Sequence, residues 1–173
     1  MVNENIKLLC VDITLAQVDA IVNAANPTLL GGGGVDGAIH ATAGPELLLA
    51  CKNIPEVNGI RCPHGQARIT TAGNLPAKYV IHTVGPIYKH STDPENTLRS
   101  AYIHSLDLAL KHQCNSIAFP AISCGIYGYP ITEAAQIALE ICSEKRYSTV
   151  EIYFYLFDKQ TFDLWSKVAT SLL

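Results

Sequence analysis

The residues most able to do chemistry in this chain cluster in one stretch, VNAANPTLLGGGGVDGAIHATAG, residues 22 to 44. It carries Asn23 and Asn26, an unbroken run from Gly31 to Gly34, and Asp36 just beyond. Glycine loses more backbone entropy on folding than any other residue, so such a run is kept where side chains would be in the way. A tight turn, a flexible linker, or a ligand pressed against the backbone would each explain it. Because the run joins a β-branched apolar segment to a helical pattern, Gly31 to Gly34 can present successive N–H groups to one point, and the helix N-terminus adds partial positive charge. That chemistry suits a phosphate. Asp36 by itself is a favourable charge at a helix start, worth under ~1 kcal/mol.

A second glycine loop, FPAISCGIYGYPITEAA, repeats the plan: a buried strand, then Ser123, Cys124, Gly125, Ile126, Tyr127 and Gly128, then Pro130 where a helix begins. Either loop alone reads equally well as a strand-to-helix turn; together they can hold two linked phosphates. No Lys-Ser/Thr pair follows the glycines, and neither loop fits GxGxxG with an acidic residue about 20 positions on. Nucleoside triphosphate hydrolysis and dinucleotide redox chemistry therefore lose ground.

The elements that must position these loops alternate along the chain. IKLLCVDI, DAIVNAA, QARITTAG, YVIHTVG, SIAFPAI and TVEIYFYLF read as strands. Helical stripes recur at Leu98, Tyr102, Leu106, Ala109 and Leu110, at Ile131, Ala134, Ala135, Ala138 and Ile141, and at Phe162, Trp165, Ala169 and Leu172. Each stripe is one apolar face seeking a sheet, which predicts an α/β fold, a three-layer α/β/α sandwich with a mixed central sheet. In such sheets ligands bind outside the carboxyl ends of the strands, where both glycine loops fall.

Composition narrows the function. With 173 residues, 49% hydrophobic and 16% charged, the chain fits one domain spanning 1–173. A formal charge of -3 gives no electrostatic footprint for nucleic acid or an acidic membrane. There is no basic segment followed by a long apolar stretch at the N-terminus, and no apolar run near the ~20 residues of a membrane span, so an intracellular, cytoplasmic protein is expected. Cys10, Cys51, Cys62, Cys114, Cys124 and Cys142 form no CxxC pair and read as reduced, mostly core residues. The histidines form no HExxH, and RCPHG lacks further spaced ligands, so no metal site is expected. His40 reads as a packed, hydrogen-bonded histidine and Asn23 as a residue stabilising the loop.

Taken together, VDAIVNAANPTLLGGGGVDGAIHATAG, FPAISCGIYGYP, HTVGP and the early DIT resemble the macro domain family, in particular its MacroD-type branch with bacterial O-acetyl-ADP-ribose hydrolases. The resemblance runs from Ile6 to the final helix. It implies ADP-ribose binding in a cleft above a mixed sheet, with no cofactor. Asp12 would accept a hydrogen bond from the adenine amino group beside the Ile13 N–H, and Phe157 would stack on the base. Gly33, Gly34 and Val35 would line one side of the diphosphate, and Ser123, Cys124, Gly125, Ile126 and Tyr127 the other. Tyr127 would also cover the distal ribose, whose hydroxyls Asn26 would hold, and Asp36 would sit beside that ribose and its attacking water. Two positions depart from the family pattern: Val11 stands where glycine is common, and Cys124 where threonine is common, its thiol adding an oxidation liability.

The resemblance implies a hydrolase of esters at the distal ribose, acting on O-acetyl-ADP-ribose, on mono-ADP-ribose attached to acidic side chains of proteins, or on both. Asp36, expected near the cleft surface and ionised at neutral pH, would orient or activate water, with the diphosphate able to share the base role. The alternative is a reader module that binds ADP-ribose without chemistry. A reader needs the loops and the adenine site but not Asn26 and Asp36, so their presence favours the enzyme.

Overall fold

Short apolar runs pair into one six-stranded sheet in this computed structural model, which describes residues 3–172. The strands are β1 (Ile6–Leu9), β2 (Ala20–Ala24), β3 (Ala67–Thr71), β4 (Tyr79–Thr83), β5 (Ser116–Phe119) and β6 (Glu151–Tyr155). Their order is β1-β6-β5-β2-β4-β3, with every neighbouring pair parallel except the antiparallel β3–β4 edge, so the sheet is mixed as the sequence predicts. β2 is buried almost throughout, as a central parallel strand covered on both faces should be.

Alternation along the strands divides the core into two layers. Ala20 and Val22 face α3 (Pro94–Lys111), α4 (Ile131–Cys142) and α5 (Lys159–Leu172); Ile21 faces α1 (Gly34–Ala43) and α2 (Pro45–Lys52). The first layer is aromatic, with Phe154 and Trp165 ring centroids 4.7 Å apart and Tyr102 and Phe119 5.0 Å apart. The second is aliphatic, with Ile39, Leu47 and Cys51 fully buried against Ile21 and Val80. Cys62, Cys114 and Cys142 are buried as well, in keeping with their reading as core residues.

Two features differ from the sequence reading. The strands are shorter at their carboxyl ends than the apolar runs: β1 stops before Cys10 and β5 before Pro120, which has no N–H to give a ladder. The residues released, Val11 to Ile13 and Pro120 to Ile122, continue into the loops above the sheet. Helix α2 carries no apolar stripe that periodicity reveals, although Gly44 followed by Pro45 at its first turn is a legible start signal. No described helix is long and apolar enough to cross a membrane.

Candidate active site

The loops leaving the carboxyl ends of β1, β2, β5 and β6 enclose a cleft of about 560 Å³. Asp12, Ile13, Gly34, Val35, Cys124, Gly125 and Phe157 line it. The sequence reading missed Ala38, Pro120, Ala121, Tyr155, Leu156, Asp158 and Thr161, which complete the wall. Of these, Asp158 was legible: it caps α5, accepting from the Thr161 N–H at 2.8 Å and its hydroxyl at 2.9 Å. An Asp three residues before a Thr at a helix start is a capping pattern.

At one end, Asp12 caps the 3₁₀ turn Ile13–Leu15, its Oδ1 accepting from the Thr14 N–H at 2.9 Å and from Thr14 Oγ1 at 2.8 Å. Both bonds use the same oxygen, so Oδ2 keeps its lone pairs. Phe157, 79% exposed, stands on the lip with no ring against it, and Val11 is partly exposed beside the turn. An exposed aromatic face next to a free carboxylate oxygen can take a flat base with an exocyclic amine.

The middle of the cleft is lined by backbone. Gly34, Val35 and Asp36 open α1 with no carbonyl one turn back to donate to, and their N–H groups bond to no other backbone. A Cβ added at Gly33, Gly34 or Gly125 would meet nothing within 4 Å, so these backbone segments border open space. In the second loop the Cys124 N–H is tied to Ala121 O at 3.2 Å, while the N–H groups of Gly125, Ile126 and Tyr127 bond to no carbonyl. No Lys or Arg lines the cleft. Its donors are neutral amides reinforced by one helix N-terminus.

Three residues of that loop behave differently from one another. Ser123 is buried in the left-handed region at φ 65° and its hydroxyl donates to Pro86 O at 2.8 Å, so its side chain braces the loop from behind. Ile126 is 99% exposed and is not part of the wall. Burial, with the Asp158 carboxylate nearby, pushes the Cys124 thiol up to about 12, which keeps it protonated and removes the reactivity expected of an accessible thiol.

At the far end, beyond the wall residues, Asn26 and Asp36 converge. A Cβ placed on Gly32 would lie 3.2 Å from Asp36 Oδ2 and 3.4 Å from Asn26 Nδ2, so both reach one small region above that glycine. Asn26 is held by its own loop, donating to Gly31 O at 3.0 Å and accepting from Thr28 Oγ1 at 2.7 Å. Contrary to its expected surface position, Asp36 is 4% exposed. Burial raises its carboxyl above the ordinary value, opposed by a hydrogen bond from Asn23 and by His40. Asn23 Nδ2 donates to Asp36 Oδ1 at 2.8 Å, so Asn23 supports the carboxyl rather than the loop. Tyr127 is half-buried nearby, its phenol raised by burial and by the Asp36 carboxylate.

A model of the macro domain family matches residues 22–138. The chain is similar to a macro domain-containing protein of Vibrio parahaemolyticus, 58% identical over 165 residues that cover 95% of this chain and 97% of that one. It is similar to an O-acetyl-ADP-ribose deacetylase of Citrobacter rodentium, 54% identical over 172 residues, 97% of each chain. Among solved structures, the Oceanobacillus iheyensis macrodomain with ADP superposes with a TM-score of 0.90 at 42% identity, covering 95% of this chain and 90% of that one. The Trypanosoma brucei macrodomain in complex with ADP-ribose gives 0.83 at 40% identity, covering 94% and 68%. Both glycine loops that frame the cleft fall inside the matched segment, and the relatives align along nearly the whole length: the chain belongs to the macro domain family.

Proposed function

We propose that the chain, as a single cytoplasmic macro domain, binds ADP-ribose along the cleft and hydrolyses esters at its distal ribose. Its substrates are O-acetyl-ADP-ribose, proteins carrying mono-ADP-ribose on acidic side chains, or both. Relatives 52 to 54% identical that are named O-acetyl-ADP-ribose deacetylase support the reaction class. The observation in this molecule that carries the reading is the convergence of Asn26 and Asp36 above Gly32, at the end of a cradle of neutral N–H groups.

Adenine lies against Phe157 with its amino group toward Asp12, and the diphosphate lies between the α1 N-terminus and the Gly125–Tyr127 backbone. The distal ribose then falls between Asn26 and Tyr127. Asn26 holds ribose hydroxyls and supplies alignment. Water adds to the ester carbonyl while Asp36 Oδ2 takes its proton; the ribose oxygen leaves and recovers a proton, giving the free acid and ADP-ribose. A carboxyl raised by burial is a stronger base than an ordinary one, which suits that transfer near neutral pH.

Acetate release from O-acetyl-ADP-ribose and ADP-ribose release from an acidic-residue-modified protein test the proposal. Turnover of either supports it and names the substrate. Tight ADP-ribose binding without turnover of either would leave a reader module in its place.

A further inference from the structure

Beneath the cleft, Asn23 on β2 and His82 on β4 are register partners in adjacent parallel strands, both fully buried on the face covered by α1 and α2. Polar side chains at such positions are kept only where their hydrogen bonds are made. Asn23 Nδ2 lies 2.8 Å from Asp36 Oδ1 and 3.2 Å from His82 Nδ1, and His82 Nε2 lies 2.9 Å from Thr70 Oγ1, whose hydroxyl donates to Thr71 O. With Asp36 ionised and the Thr70 hydroxyl proton on Thr71 O, the directions follow from both ends. A carboxylate oxygen only accepts, so Asn23 must turn its NH₂ toward Asp36, and the second hydrogen of that NH₂ needs an acceptor. A Thr70 hydroxyl that donates to Thr71 O accepts from His82 Nε2. The consistent arrangement is a neutral imidazole with its proton on Nε2. Asn23 Oδ1 is left buried without a partner, so the amide orientation is set by its two N–H bonds alone.

We propose that His82 is a positioning residue for Asp36: held as the Nε2–H tautomer by Thr70, it fixes the Asn23 amide so that an N–H always points at Asp36 Oδ1 and Oδ2 is left for the reacting water. This rests on the hydrolase reading given above. The alternative tautomer would put a proton on Nδ1, reverse the Asn23 amide, and set its carbonyl against the Asp36 carboxylate. The other ionisable groups facing this network are few. His40 Nε2 is 3.4 Å from Asp36 Oδ1 with its ring 6.4 Å from that of His82, Cys51 Sγ is 3.6 Å from His82 Nε2, and Tyr127 approaches Asp36 from the second loop. Arg61 reaches this region through its field at Cys51. Burial, with His40 beside it, pushes the His82 imidazole down to about 3, so it stays neutral through the working range.

Three measurements on the folded chain test this. Nitrogen NMR of the histidine-labelled wild type should show His82 neutral and protonated on Nε2; an Nδ1–H tautomer overturns the proposal. The Asp36 carboxyl, followed by carbon NMR, should titrate about one pH unit higher in His82→Leu, and less so in Thr70→Val, because a hydrogen bond to the charged form is lost. Unmoved titration in these variants overturns it too. In turnover, kcat of His82→Leu should fall about tenfold on the acid limb, below the Asp36 ionisation, with KM unchanged, and recover at high pH. His82→Asn should retain most of the activity, since its carbonyl oxygen sits two bonds beyond Cβ, where Nδ1 was. If His82→Leu does not fold, the wild-type tautomer and the Thr70→Val titration decide. If the wild type releases no acetate or ADP-ribose, the hydrolase reading fails, while the Asp36 titration still judges the network.

Discussion

His40 Nε2 stands 3.4 Å from Asp36 Oδ1, one helical turn along α1, yet that nitrogen is buried with no hydrogen-bond partner. The contact is therefore not a hydrogen bond: Asn23 is what fixes Oδ1, and Oδ2 is left without a hydrogen-bond partner.

Asp36→Ala should separate catalysis from binding. Turnover should drop about a hundred- to ten-thousand-fold, the range for a positioned acid–base group. ADP-ribose affinity should change only severalfold, since the backbone donors remain. Removing a desolvated carboxyl but orphaning an Asn23 N–H leaves stability within about 1–2 kcal/mol of wild type. Parallel calorimetry and kinetics decide it, and wild-type turnover in the variant would reduce Asp36 to a helix-start charge.

The pH dependence has two signs. Activity should be lost as pH falls through the Asp36 ionisation, and that limb should lie above the ordinary carboxylate range because burial raises it. Stability follows His82, whose folded value near 3 is below its unfolded one. The unfolded chain then binds more protons, so stability is full above about pH 6.5 and falls on acidification, on the order of 1 kcal/mol per pH unit. Asp36, shifted the other way, contributes an opposing slope just above its unfolded value. Melting temperature against pH should be flatter in His82→Leu than in wild type; parallel curves would contradict this.

With neutral amides and no Lys or Arg lining the cleft, ADP-ribose affinity should depend weakly on ionic strength. Sites built from several Lys or Arg side chains are strongly screened instead. Titrations at low and high salt distinguish the two, a steep loss counting against the backbone cradle.

Asp12→Asn tests the adenine end without breaking the turn. The asparagine carbonyl can still cap Thr14, but the free atom becomes a donor facing the amino group of the base. ADP-ribose should bind at least severalfold more weakly, given about 1.5–3 kcal/mol for a hydrogen bond to a charged acceptor. The inosine analogue, with a carbonyl at that position, should lose less. Equal losses for both would place the base elsewhere.

Two glycines should respond in opposite ways to alanine. Gly33→Ala adds a methyl to open space, so the protein should fold normally and lose ADP-ribose affinity by steric conflict. At Gly37 a Cβ would come 2.6 Å from Gly32 O, so Gly37→Ala should disturb the loop and lower the melting temperature. Melting curves and binding isotherms of the pair check both halves.

The sequence by itself determined the layered α/β class, the two glycine loops, and the family, because apolar periodicity and runs of glycine are local properties that survive without coordinates. The family resemblance also implied that Asn26 and Asp36 meet at one ribose. Asp158 and Thr161 read in sequence as a helix cap, and only the pairing of β6 between β1 and β5 carries that cap to the cleft. Asp36 read as a surface charge because a helix start is normally exposed; its burial follows from α1 lying on the sheet above Asn23 and His82. Those two are separated by most of the first half of the chain, and only strand register makes them neighbours. Tertiary structure alone decided the ionisation of the Asp36 carboxyl, because desolvation and hydrogen-bond direction depend on what packs around a group and not on what adjoins it in sequence.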